Sequence, residues 1–256
     1  MVVAAWAIVI QWTTQSLALT TTSTSRAQAF ERVYAEGRWK HGVDGALCGS
    51  GWSHVPSGQG AMALKAVTDV VESFGIRSIA DVPCGDGCFA SAMIGALRSN
   101  STVPALRRAN NVEYVGVDIV ARLIEQNTAA MADESTRFVQ ADVVSGAASL
   151  PKADLIFSRQ MLQHLCNDDV MRFVRQVARS SARYALITTF QTDDAFENTD
   201  IECASGDFRP QDLTKPPFSL PAPLMLFNEH YPVDPRVALG LWPVRTIERA
   251  LRHLLI

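Results

Sequence analysis

Ile76 to Arg98 reads IRSIADVPCGDGCFASAMIGALR. Its opening seven residues, Ile76–Val82, form an apolar run of strand length, and CFASAMIGALR carries helical periodicity. Between the two lies DVPCGDGCFA, Asp81 to Ala90, where Gly85 and Gly87 allow a sharp turn and let a ligand approach the backbone. The helix that follows presents unpaired amides to whatever binds there. Strand, glycine turn and helix in that order open a sheet whose ligands sit beyond the carboxyl ends of its strands.

The alternation continues downstream. Val112–Asp118, Arg137–Asp142, Ala153–Ser158 and Ala182–Phe190 are further apolar runs, separated by the helical patterns IVARLIEQNTAAM and DDVMRFVRQVARS. This predicts an α/β chain with a doubly wound, mostly parallel sheet and helices on both faces. Upstream, RAQAFERVYAEG places Phe30, Val33 and Tyr34 on one face of a short helix ended by Gly37. A glycine-rich stretch, Gly45–Ala61, reads as a covering loop, and MALKAVTDVVESFG after it as a helix. Residues 191–232 are rich in Pro, Asp and Asn and have no helical pattern, so they read as an insertion after the fifth strand, on the substrate side. Ala238–Val244 looks like a late strand, and TIERALRHLLI like a closing helix or strand extension. Residues 26–256 are expected to form a single domain, with 26–61 as its N-terminal cover.

Composition narrows the function classes. In 256 residues, 48% hydrophobic, 26 acidic groups against 23 basic leave a net charge of −3. No net positive field exists to hold a phosphate backbone, and no nucleic-acid partner is expected. The five cysteines are too few and too scattered for a disulfide scaffold, and their odd number leaves at least one without an intramolecular partner. Cys84 and Cys88, with no His in their loop, read as packing residues rather than metal ligands, and no metal site is expected. The apolar run Val2–Ile10 is too short to span a bilayer, which takes about 20 residues. Residues 1–25 are expected to be a signal or targeting segment, placing the protein in the secretory pathway or an organelle. The absence of Lys or Arg before Arg26 departs from the usual signal, and without such a segment the protein would be cytoplasmic.

GDGCFA also satisfies the dinucleotide pattern GxGxxA. Two acids turn the reading elsewhere: Asp81 precedes the glycines, and Asp118 closes the second strand 33 positions after Gly85. Together these residues resemble the class I S-adenosylmethionine-dependent methyltransferases, whose first motif runs acid-x-x-x-Gly-x-Gly, here in a VPCGDG version. The likeness covers roughly Ile76 to Phe190. It implies a Rossmann-like methyltransferase fold with S-adenosylmethionine as cofactor. The glycine loop of Asp81, Cys84, Gly85 and Gly87 would then pass under the methionine part, Asp118 with Ile119 would bond the ribose, Asp142 with Val143 would lie near the adenine, and Ser158 would end the fourth strand beside the site. A carboxylate accepting two ribose hydroxyls makes strong, charge-assisted bonds.

The fourth strand runs out into SRQMLQHL, Ser158 to Leu165, beside the expected position of the sulfonium. Arg159 is a candidate anchor and His164 a candidate general base, since its unperturbed pKa is near neutrality. Gln160 is a candidate acceptor contact. Trp39 or Trp52 could cover the cofactor or its acceptor, because an aromatic face attracts a cation. Asn198 and Arg209 in the insertion are candidate acceptor contacts. Methyl transfer to a small molecule or glycan, at oxygen, nitrogen or sulfur, is the expected function. It needs positioning more than acid–base machinery, which fits a chain with no obvious triad. A nicotinamide-dependent oxidoreductase is the alternative on the glycine loop alone, although none of the four tyrosines has a YxxxK spacing. A cofactor-binding regulator without catalysis is the third reading.

Overall fold

The computed structural model describes residues 26–39, 58–99, 112–231 and 234–253. The expected leader 1–25, Trp52 and most of the glycine-rich stretch lie outside the described residues. In chain order the elements are α1 (26–35), α2 (Gly58–Phe74), β1 (Ser78–Asp81), α3 (Cys88–Ser99), β2 (Glu113–Asp118), α4 (Ala121–Met131) and β3 (Thr136–Gln140). Then follow β4 (Leu155–Ser158), a 3-10 turn (Leu162–His164), α5 (Asn167–Arg179), β5 (Tyr184–Phe190), β6 (Met225–Asn228), β7 (Val237–Pro243) and α6 (Val244–His253).

The seven strands lie in the order β3-β2-β1-β4-β5-β7-β6. The first five are parallel, whereas β7 runs antiparallel between β5 and β6. Strand order reverses at β1, whose Asp81 is level with Gly116 of β2 on one side and Phe157 of β4 on the other. That switch opens a crevice at the carboxyl edge.

Side chains on successive strand residues point to opposite faces, and the core divides accordingly. Leu155 and Phe157 of β4 join Ile79 and Leu186 beneath α2 and α3. Ile156 faces the other way, joining Ala80, Ile187 and Trp242 beneath α5 and α6. Strands buried on both faces explain why the sequence reads as continuous apolar runs rather than alternation. Close packing leaves no room at Gly116, where an added Cβ would stand 2.5 Å from the Phe138 ring.

Several readings of the sequence need correction. The helix assigned to MALKAVTDVVESFG begins earlier, at Gly58, so the covering loop ends sooner. The insertion contains a strand, β6, which pairs with β7 at the edge of the sheet. It also sends Leu213, Phe218 and Leu220 into the core, which ties it to the body of the domain. Cys88 is disulfide-bonded rather than a packing residue, and a second bridge joins Cys166 to Cys203. Cys84 alone among the described cysteines is free, and it is buried.

Candidate functional site

A cavity of about 580 Å³ opens at the carboxyl edge over the β1/β4 switch. Its floor is the glycine loop. The Cys84 amide donates to the Val117 carbonyl at 2.9 Å, drawing the loop against β2. Gly85 (φ 57°) and Gly87 (φ 81°) take the left-handed backbone that the turn requires. At Gly87 a Cβ would also collide with the Asn127 side chain, whose Nδ2 holds the Gly85 carbonyl at 2.9 Å.

Three carboxylates sit at three strand ends. Asp118 accepts from the Gly85 amide at 3.0 Å through Oδ2 and from the Val120 amide at 2.9 Å through Oδ1. Burial pushes its pKa up to about 6, against the pull of those amides. Asp81 accepts from the Tyr114 hydroxyl at 2.6 Å. Burial pushes it up to about 7, with the Tyr114 bond opposing and the nearby Asp118 charge adding to the rise. Asp142 differs. One of its oxygens accepts the Val144 and Ser145 amides, and the other is held by Arg26 at 3.1 Å.

Arg26, at the start of α1, is 3% exposed and reaches Asp169 of α5 at 2.6 Å as well as Asp142. That pinning lays α1 along the cavity, where Phe30, Tyr34 and Trp39 line its wall. The helix and the turn after it also meet the insertion, through a close approach of Val33 to Gly206 and an Arg38–Asp207 ion pair at 3.5 Å. Nothing in the spacing of the sequence flags Arg26, because its partners lie 116 and 143 residues away.

The β4 exit supplies the other side. Arg159 lines the cavity, and its guanidinium is committed to buried Glu229 at 2.7 Å while lying 4.8 Å over the Phe89 ring. Gln160 (φ 57°) donates its amide to the Thr188 hydroxyl and receives the Gln163 side-chain amide. His164 Nδ1 is 2.9 Å from the Asp207 carbonyl, which can only accept, so Nδ1 carries the proton. Burial, together with the positive charges of Arg209 and Arg38, pushes the His164 pKa down to about 4, and the ring is neutral at pH 7.

The structure thus gathers Asp81, Cys84, Gly85, Asp118, Ile119, Asp142, Val143, Trp39, Arg159, Gln160 and His164 around one cavity. Ser158 is buried at the end of β4 but is not among the lining residues. Gly87, packed against Asn127 and Met131 of α4, also lies outside the lining, as do Asn198 and Arg209. Asn198 clasps the backbone of Asp212 and Pro216, and Arg209 holds the Thr199 carbonyl and the Asn167 side chain. Phe208, Tyr231 and Asp234 also line the cavity, and no motif or spacing marks them out. Cys166, Asp169 and Cys203 bring ligand-type atoms together, but both sulfurs are spent in their disulfide. Among the described residues no helix is long and apolar enough to cross a membrane.

Residues 80–183 match the family model described as a methyltransferase domain. No curated protein matches the sequence. Among solved structures, the chain is similar to the 1,6-didemethyltoxoflavin-N1-methyltransferase of Burkholderia thailandensis, solved with 1,6-didemethyltoxoflavin and S-adenosylhomocysteine. The TM-score is 0.57 at 14% identity, over 85% of this chain and 86% of that one. It is also similar to the N-methyltransferase NodS of Bradyrhizobium japonicum, with a TM-score of 0.50 at 10% identity over 73% and 97% of the two chains. Human N-acetylserotonin methyltransferase, solved with SAM, gives 0.49 at 11% identity over 72% of this chain, which spans 51% of that enzyme. Residues 80–183 thus carry the methyltransferase-domain match, and the likeness to the Burkholderia enzyme shows a shared fold.

Proposed function

We propose that the cavity binds S-adenosylmethionine and serves methyl transfer to a small molecule or glycan. The observation that carries this reading is the junction of the glycine loop with the strand-end acids. Gly85, on the cavity floor, donates its amide to Asp118, a buried carboxylate locked in place by two backbone amides. Asp118 with Ile119 holds the ribose, and Gly85 and Gly87 give the methionine part room against the backbone. Asp81 and Cys84 flank that part, Asp142 and Val143 border the adenine, and Ser158 supports the β4 end. When bound, the cofactor supplies a methyl group already activated by its sulfonium, so the chain's own residues position, exclude water and receive a proton. Trp39 and Gln160 border the acceptor, and Arg159 fixes the β4 exit through Glu229.

The Cys166–Cys203 bridge, together with the apolar run near the N-terminus, supports an oxidising compartment as the working location.

Isothermal titration with S-adenosylhomocysteine and, separately, with NAD tests the reading. Saturable heat with the first and none with the second is expected. Binding of NAD alone would replace methyl transfer with hydride transfer.

A further inference from the structure

His164 stands between two aromatic rings. Its centroid is 4.6 Å from that of Trp39 and 5.9 Å from that of Phe208, and Trp39 in turn meets Tyr34 at 5.5 Å and Phe30 at 6.0 Å. These rings come from α1, the segment after it, the β4 exit and the insertion, and all five line the cavity. Phe208 is 52% exposed, which puts an uncovered aromatic face at the mouth.

Few polar groups near this wall are open to a ligand. Arg159 is paired with Glu229, Asp234 with Arg236 at 2.7 Å, and the Gln160 side-chain oxygen with Gln163, which leaves the Gln160 side-chain nitrogen to donate. An acceptor bearing hydroxyls all round would bury several of them without partners, each paying the desolvation of an unpaired polar group. A flat aromatic acceptor has one polar point to satisfy and two faces to stack.

The imidazole is set up to receive that one point. With Nδ1–H donated to the Asp207 carbonyl, the lone pair lies on Nε2. The carbonyl is itself held in place: the Arg209 amide donates to the Gln163 carbonyl at 3.1 Å, and the Cys166–Cys203 bridge ties the insertion to the start of α5.

We propose that the acceptor is an aromatic hydroxyl, stacked against Trp39 and Phe208, and that His164 Nε2 is the catalytic base that takes its proton. This rests on the methyl-transfer reading above. In the step, a lone pair of the hydroxyl oxygen forms the new O–CH₃ bond. The S–CH₃ bond breaks with its electrons left on sulfur, and the O–H proton passes to Nε2. Because burial and the charges of Arg209 and Arg38 make His164 a weak base, an aromatic hydroxyl suits it better than an alkanol. The phenol of tyrosine titrates near 10, so such a proton is already acidic.

Two measurements on the full chain test this. First, 2-naphthol is titrated calorimetrically into protein saturated with S-adenosylhomocysteine, beside its saturated analogue decahydro-2-naphthol. Binding of 2-naphthol at least tenfold tighter, and weakened at least tenfold in Trp39→Ala, is expected. Equal binding of the two compounds, or no loss in the variant, overturns the aromatic wall. Second, methyl-labelled S-adenosylmethionine is incubated with 2-naphthol, 2-naphthylamine or methyl α-glucoside. Label should reach 2-naphthol alone, and His164→Gln should slow it about 100-fold or more, with S-adenosylhomocysteine affinity within twofold of wild type. Label on the amine or the sugar, none on 2-naphthol, or a variant as fast as wild type overturns the proposal. Should His164→Gln fail to fold, the ¹⁵N spectrum of the wild-type ring decides: a proton on Nε2 rather than Nδ1 overturns the base. Failure of S-adenosylhomocysteine to bind at all is a separate result, which removes the cofactor reading instead.

Discussion

The Gly85 amide donates to the Asp118 carboxylate at 3.0 Å, across 33 residues of chain. Loop and strand-end acid therefore act as one part: the carboxylate cannot swing away, and the loop cannot lift without losing its acceptor. Asp118→Ala should weaken S-adenosylhomocysteine binding about 10- to 100-fold, the equivalent of about 1.5–3 kcal/mol for one charged hydrogen-bond acceptor. Calorimetric titration measures this directly, and an unchanged dissociation constant would remove Asp118 from the site.

Asp81 and Asp118 have pKa values raised from 3.8 to about 7 and about 6. Between 3.8 and those values the folded protein holds more protons than the unfolded chain, so raising the pH through that window costs stability. His164, depressed from 6.5 to about 4, works in the opposite sense: its contribution is present above 6.5 and is lost as pH falls through about 4. The comparison with Asp81→Asn isolates the first effect. Urea denaturation of the ligand-free protein at pH 5 and pH 8 should show a smaller loss for the variant than for wild type. Parallel losses would mean that Asp81 does not titrate in this range.

Arg26 bridges two buried carboxylates, and removing it leaves Asp142 without its cation, facing an Asp169 whose remaining partner is Arg172 at 3.2 Å. Breaking a buried ion pair by deleting one partner costs about 3–5 kcal/mol. Arg26→Met should lower the denaturation midpoint accordingly, and adding Asp169→Asn should recover part of the loss. A double variant no more stable than the single one would show that the carboxylates do not repel.

Gly87→Ala meets two obstacles at once, a φ of 81° and the Asn127 side chain. The variant should fold with a lowered melting temperature and bind S-adenosylhomocysteine at least tenfold more weakly. Wild-type affinity in a folded Gly87→Ala protein would show that the cofactor does not depend on the shape of this turn.

The parallel sheet was legible because its strands are buried on both faces and appear as unbroken apolar runs. The strand-end acids followed from that, since topology alone brings Asp81, Asp118 and Asp142 to one edge. Strand β6 escaped notice because MLFN is an edge strand whose first two residues are exposed, set just after a run of prolines, with no repeating pattern of its own. Asn198 and Arg209 misled for a different reason. A segment with little regular structure must satisfy its backbone carbonyls with side chains, and these two do so. Pairing of cysteines cannot be read from spacing either, which is why Cys166–Cys203 appears only in three dimensions.

Helix α1 is the first described element of the chain, yet the residues that hold its Arg26 are Asp142 and Asp169. During synthesis it emerges before its ion-pair partners, Arg122 of α4, Asp142 and Asp169 of α5, and its docking is complete only after α5 has left the ribosome. Closing so long a loop costs entropy that only a formed sheet can repay. The N-terminal wall of the cavity is therefore a late acquisition in folding: the amides of α1 should gain protection after those of β1, β4 and β5 in a pulse-labelled refolding experiment, and the pocket exists only once the beginning of the chain has met its middle.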